Sequence, residues 1–253
     1  MANNWTRDEL IVAFNLYCKI PFAKSVQTNP DVIAVANLIG RSPGAVAFKL
    51  GNFGSFDPEL KKRGIGGLPN SSKLDKQIWD EFNSDWDGLA YQSELLIVKF
   101  GDKAETEFAE IDLANLPPGT ERESLVRTRV NQRFFRRSIL SIYGSKCCIT
   151  GLEFPSLLVA SHIIPWGLDD SNRTNPQNGL CLNALHDRAF DKGLITITPD
   201  FKVQVSQRIA ESVNKELVTN FFLKYDRQQI ALPDKFFPGA NFLEYHNREI
   251  YQR

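Results

Sequence analysis

From Ser161 to Leu194 the chain reads SHIIPWGLDDSNRTNPQNGLCLNALHDRAFDKGL, and this stretch limits the possible folds more than any other. The apolar run Leu157-Leu158-Val159-Ala160 feeds into Ser161-His162-Ile163-Ile164 and reads as a buried strand ending at a histidine. A polar loop follows from Gly167 to Gln177, rich in Asp, Asn, Ser and Pro. Asn178-Gly179 then opens a second short apolar strand, Leu180-Cys181-Leu182. Asn183 is a good N-cap for a short helix carrying Ala184, Leu185, His186, Ala189 and Phe190, which Gly193 ends. Strand, loop, strand and helix make a frame that can set His162 opposite His186. The whole protein has only 3 histidines, and two of them lie here with Asn178 between them.

The order His, Asn, His on strand, strand and helix resembles the HNH nucleases, whose domain is a ββα-metal fold. The likeness extends through LHDRAFDKGLITI, back to Cys147-Cys148-Ile149-Thr150-Gly151, and to the upstream run RVNQRFFRRSIL. It is closest to the restriction-type branch with SHI or AHI at the first histidine, and it covers roughly the second half of the chain. The resemblance implies a general base at His162, a structural catalytic-loop residue at Asn178 and a metal ligand at His186. Many family members place Asp or His directly before the base as a metal ligand; this chain has Ser161 there. Asp187 and Asp191 are further oxygen donors on the same helix. Asp191, five positions after His186, falls off that histidine's face and is read as a cap or loop anchor.

Those residue types suit phosphodiester hydrolysis. The reaction needs a water deprotonated, the charge at phosphorus stabilised and the leaving oxygen neutralised. A neutral imidazole is an effective acceptor near pH 7. A divalent cation, Mg2+ or Mn2+, is the implied cofactor. Four thiolates at structural-zinc spacing are absent, so Cys147, Cys148 and Cys181 are read as buried apolar groups rather than a zinc site. Ser161 and His162 do not read as a nucleophile–base pair, because adjacent strand residues point to opposite faces.

Upstream, Thr6 with Glu9 three residues later forms a capping box for a helix whose apolar face is Leu10, Ala13, Phe14 and Tyr17. Asn29-Pro30 starts a second helix that Gly40 stops, and Ser42-Pro43 starts a third running to about Phe53. The tight glycine turn between them gives residues 1–60 the look of a helix-turn-helix domain, with Arg41, Lys49 and Asn52 as DNA-facing candidates. Residues 61–119 read as a loop, a helical connector and an acidic linker. The loop of residues 54–73 begins the connection and residues 73–100 are mostly helical. Residues 120–253 form the nuclease domain. It opens on a helix capped by Thr120 and Glu123, and Arg122, Arg129, Arg133 and Arg136 lie along one face. The expected class is therefore α+β: a helical N-terminal domain followed by a ββα-metal domain.

Charge sharpens the partner. The chain is neutral overall, but residues 61–119 hold 7 basic against 11 acidic side chains and residues 120–253 hold 18 against 14. Between 122 and 146 there are 7 basic and 1 acidic, a face suited to backbone phosphate. No apolar run approaches the ~20 residues that span a bilayer, the first residues lack a signal-peptide pattern, and the 4 cysteines form no disulfide framework. The expectation is a cytoplasmic, metal-dependent DNA endonuclease of restriction type, with dependence on base modification open. A homodimer would supply the two sites a double-strand break needs. The competing reading is a non-catalytic DNA-binding protein with a degenerate HNH module.

Overall fold

Helix α1 (Arg7–Lys19) begins where two orphan backbone donors are satisfied at once: Glu9 N donates to Thr6 Oγ1 at 3.3 Å and Thr6 N to Glu9 Oε2 at 2.8 Å. The computed structural model describes residues 4–65, 67, 71–101, 120–211 and 214–253, with the backbone alone for 120–123. Its contacts divide the chain into two units, 1–138 and 139–253. No helix among the described residues is long and apolar enough to cross a membrane.

In the first unit α1 is buried on every side from Glu9 to Cys18, as befits the central helix of a bundle. Around it pack α2 (Pro30–Leu38), α3 (Pro43–Gly54), α5 (Lys73–Phe82) and α6 (Trp86–Gly101). The Phe14 ring lies 4.8 Å from Phe53 and 5.4 Å from Trp79, and these rings form the centre of the core. Between α2 and α3 the chain turns through Gly40 at φ +67°, a left-handed backbone that favours glycine. Within residues 54–73, expected as loop, the structure forms a short helix, α4 (Pro58–Lys62). Asp57 Oδ1 caps it by accepting from Glu59 N and Leu60 N, and Leu60 is buried. The acidic linker expected over 101–117 lies, from 102 onward, outside the described residues.

The three residues expected to face DNA have partners within the bundle. Lys49 is 8% exposed and its Nζ sits 2.9 Å from both carboxylate oxygens of Asp75, which is fully buried. Asn52, also fully buried, donates Nδ2 to Asp75 Oδ2 at 2.9 Å. The same carboxylate accepts from Ser72 N and so caps α5. Arg41 donates to both Glu9 oxygens at 2.8–2.9 Å and covers the Trp5 ring. Helical spacing identified these residues, but it did not show that their charges are matched inside the bundle.

In the second unit, the end of α7 (Thr120–Ile142) leads to an antiparallel hairpin, β1 (Leu158–His162) with β2 (Gly179–Asn183). Asn183 Oδ1 accepts from His186 N and starts α8 (Ala184–Asp191), which packs on both strands. A second hairpin follows, β3 (Ile195–Ile197) with β4 (Val203–Val205). Two short helices come next, α9 (Gln207–Ala210) and α10 (Lys215–Phe221). The tail forms α11 (Ala240–Tyr245) and a π-helical turn, His246–Ile250.

That tail locks the end of α8. His246 stacks on Phe190 with ring centroids 3.7 Å apart; its Nδ1 lies 2.8 Å from Thr196 Oγ1, and its Nε2 donates to the Phe190 carbonyl at 3.1 Å. Gly193 has φ +65°, and a Cβ there would meet Ile250 O at 2.0 Å, so only glycine fits.

Replacing Lys49 by Met is expected to cost roughly 3 kcal/mol in urea unfolding, because Asp75 is left buried and unpaired; a variant as stable as wild type but weaker on DNA would restore the DNA role. His246 gives a second test. Burial pushes its imidazole down to about 4, against the raising effect of the Phe190 carbonyl. The unfolded chain takes that proton from about pH 6.5 downward, so this contribution is intact above pH 6.5 and is lost as pH falls to about 4. Across that window wild type should lose roughly 2–3 kcal/mol more than His246→Gln. Equal losses in urea unfolding would remove His246 as the cause.

Candidate active site

Pairing of β1 with β2 sets the site: Ser161 lies opposite Leu180 and His162 opposite Gly179. The pleat then sends consecutive side chains different ways. Ser161 is buried and faces α8, while His162 is half-buried and turns to the loop between the strands.

His162 Nε2 lies 2.8 Å from the Arg173 carbonyl oxygen. A carbonyl only accepts, so the ring proton is on Nε2 and the lone pair on Nδ1. Burial lowers this imidazole below its ordinary value, partly offset by the same carbonyl. The shift favours the neutral ring. Trp166 stands edge-on to it, centroids 5.5 Å apart.

Asn178 is buried and holds the loop by its side-chain amide. Oδ1 accepts from Ile164 N at 2.8 Å, and Nδ2 donates to the carbonyls of Ile164 and Asn172, each at 3.2 Å. Its own carbonyl accepts from Ile163 N at 3.0 Å. The two residues after His162 are thus fixed in place by Asn178.

His186, expected as a metal ligand, is packed and hydrogen-bonded in this arrangement. It is 2% exposed, on the core stripe of α8 with Ala189 and Phe190. Nε2 donates to the Phe221 carbonyl at 2.9 Å, and Nδ1 lies 3.1 Å from Asn183 Oδ1 inside the N-cap. The rings of Phe222 and Tyr225 flank it at 5.5 and 5.6 Å. Burial lowers its pKa, with the Phe221 carbonyl opposing. His186 ties α8 to the end of α10 and the segment that follows it.

The neighbouring face of α8 fits a cation better. Asp187 and Asp191 are one turn apart, so their carboxylates share a face. Both are raised from the ordinary carboxylate value by burial, and Asp191 is raised further by the charge of Asp187. The Ser161 hydroxyl faces Asp187 and lowers it, yet its Oγ is buried with no well-aligned hydrogen bond. A hydroxyl against one of two neighbouring carboxylates is a set of oxygen donors that suits a hard divalent cation. Among the described residues no three His, Cys, Asp or Glu side chains gather as a ready-made cage. Two carboxylates and a hydroxyl leave about half of an octahedral sphere to water and phosphate, as Mg2+ tolerates. Sequence spacing contained this signal: Asp187 and Asp191 are four residues apart on one helix.

The remaining assignments fall on α7. Arg129 and Arg136 are exposed and Arg133 is half-buried, while the side chain of Arg122 lies outside the described residues. Arg127, beside them, covers the Tyr91 ring at 5.3 Å. Cys147, Cys148 and Cys181 are buried thiols outside any disulfide, and burial pushes the Cys148 thiol up.

Residues 147–198 match the model of a family described as HNH endonuclease. The matched span contains the hairpin, α8 and β3, with His162, Asn178, Asp187 and Asp191. That span is thus similar to the HNH endonucleases, whose members generally act with divalent metal ions. No curated protein matches the chain.

The two candidate ligands make opposite predictions. Asp187→Asn should raise the Mg2+ concentration needed for half-maximal DNA cleavage by about tenfold or more, with little change in unfolding. His186→Gln should lower stability and leave the metal requirement alone. The reverse pattern would return the cation to His186.

Proposed function

We propose that the protein is a metal-dependent DNA endonuclease of restriction type. The observation that carries this reading is a neutral, oriented imidazole, His162, within the span that matches the HNH family. Nδ1 of His162 takes the proton from the attacking water. The Arg173 carbonyl holds the ring by its Nε2–H and stabilises the imidazolium as it forms. Asn178 keeps the loop from shifting while this happens. Asp187 and Asp191, with Ser161 beside them, are the residues that would hold Mg2+ or Mn2+. A bound cation supplies Lewis-acid stabilisation of the phosphate and the leaving oxygen. The arginines of α7, Arg129, Arg133 and Arg136 with Arg122, are proposed to contact backbone phosphate, which positions DNA without reading sequence. Two copies of the chain would be needed to cut both strands at one place. The first unit is proposed to aid target choice through surfaces other than Arg41, Lys49 and Asn52.

A second reading is supported by Ser161 in the place of an acidic or histidine ligand: a DNA-binding protein whose HNH module no longer cuts. Its signature is binding without cleavage in Mg2+ and Mn2+ on unmodified, methylated and hydroxymethylated DNA.

His162→Ala is expected to cut DNA at least about 100-fold more slowly while unfolding as wild type does. Because the folded-state pKa of His162 is lowered, the acid limb of kcat/KM should have its midpoint below pH 6.5. Full cleavage by the variant, or an acid limb above pH 6.5, would remove His162 as the base.

A further inference from the structure

Arg173 is named by no family motif quoted above, yet four contacts link it to the proposed base in a closed circuit. Its carbonyl oxygen accepts from His162 Nε2 at 2.8 Å. Its Nε donates to the Trp166 carbonyl at 2.8 Å. Its guanidinium lies over the Trp166 ring, 5.2 Å from the centroid. The Trp166 ring in turn meets the His162 ring edge-on at 84°. The backbone just before Arg173 is fixed as well, because the Asn172 carbonyl accepts from Asn178 Nδ2. Asp170 pairs with the guanidinium on its outer side.

We propose that Arg173 is a positioning residue: its side chain, clamped on Trp166, holds its own carbonyl where it keeps His162 in the Nε2–H tautomer. The inference rests on the role given to His162 above. The physical logic is that a carbonyl in a loop between two strands is only as well placed as the residue that carries it. A planar guanidinium can stack on an indole and donate from Nε at the same time. Lysine keeps the cation but loses the planar donor set. Methionine keeps an unbranched chain on the ring and loses both the charge and the donor.

The test uses 15N-labelled full-length protein, and its primary readout is independent of cleavage. In wild type the Nε2–H proton of His162 should give a protected imidazole signal at pH 7.5. In Arg173→Met and Arg173→Lys it should exchange with solvent and disappear, while thermal unfolding stays cooperative. On Mg2+-dependent cleavage, both variants should lose about 10- to 100-fold in kcat with KM little changed. A retained, protected Nε2–H signal in the Lys variant would overturn the proposal, as would a raised KM with unchanged kcat, which marks a substrate contact. Loss of the signal with undiminished cleavage would leave the positioning role standing and remove His162 as the base, so the two failures are distinguishable.

Discussion

The pairing register at the end of β1 is the constraint on which the site depends. Because His162 stands opposite Gly179, its neighbour Ser161 must face the other way, toward α8. A slip of one residue would exchange the two, burying the imidazole against the helix and exposing the hydroxyl to the loop. The register is held at both ends. Asn178 clamps the residues that follow β1, and Asn183, opposite Leu158, leaves β2 as the cap of α8. Two asparagines therefore couple the strands to the loop and to the helix that carry the remaining functional groups.

The same economy of polar groups runs through the first unit. A charge buried without a partner is costly, so the bundle surrounds Asp75 with a lysine, an asparagine amide and a helix-terminal N–H. Glu9 likewise serves its own capping box and Arg41 together. These residues fix how α1, α3 and α5 meet, and they are unavailable to a ligand in this arrangement. On α7, by contrast, Arg129 and Arg136 are exposed, and the helix carries six arginines against two glutamates.

Much of this was legible in the sequence, for reasons that can be named. Thr6 with Glu9, Asn29-Pro30 and Ser42-Pro43 are local signals, and each helix begins where its cap lies. The strand ending at His162 and the helix capped by Asn183 follow from apolar runs and punctuation. Other features depend on long-range partners. Whether Lys49 faces solvent is decided by Asp75, and His186 becomes a core residue because the Phe221 carbonyl, far along the chain, meets its Nε2. The carbonyl that orients His162 left no trace in residue type at all, since every residue has one. Helix α4 was hidden by glycines around it, although Asp57-Pro58 marks its start.

The account turns on where a cation sits relative to His162. The most direct measurement is anomalous diffraction from a crystal of the full chain with Mn2+ and a DNA duplex, using the His162→Ala variant to hold the substrate uncut. The account predicts a manganese peak within coordination distance of the Asp187 and Asp191 carboxylates, on the Ser161 side of α8. A peak on the His186 ring, or one remote from the end of β1, would contradict it.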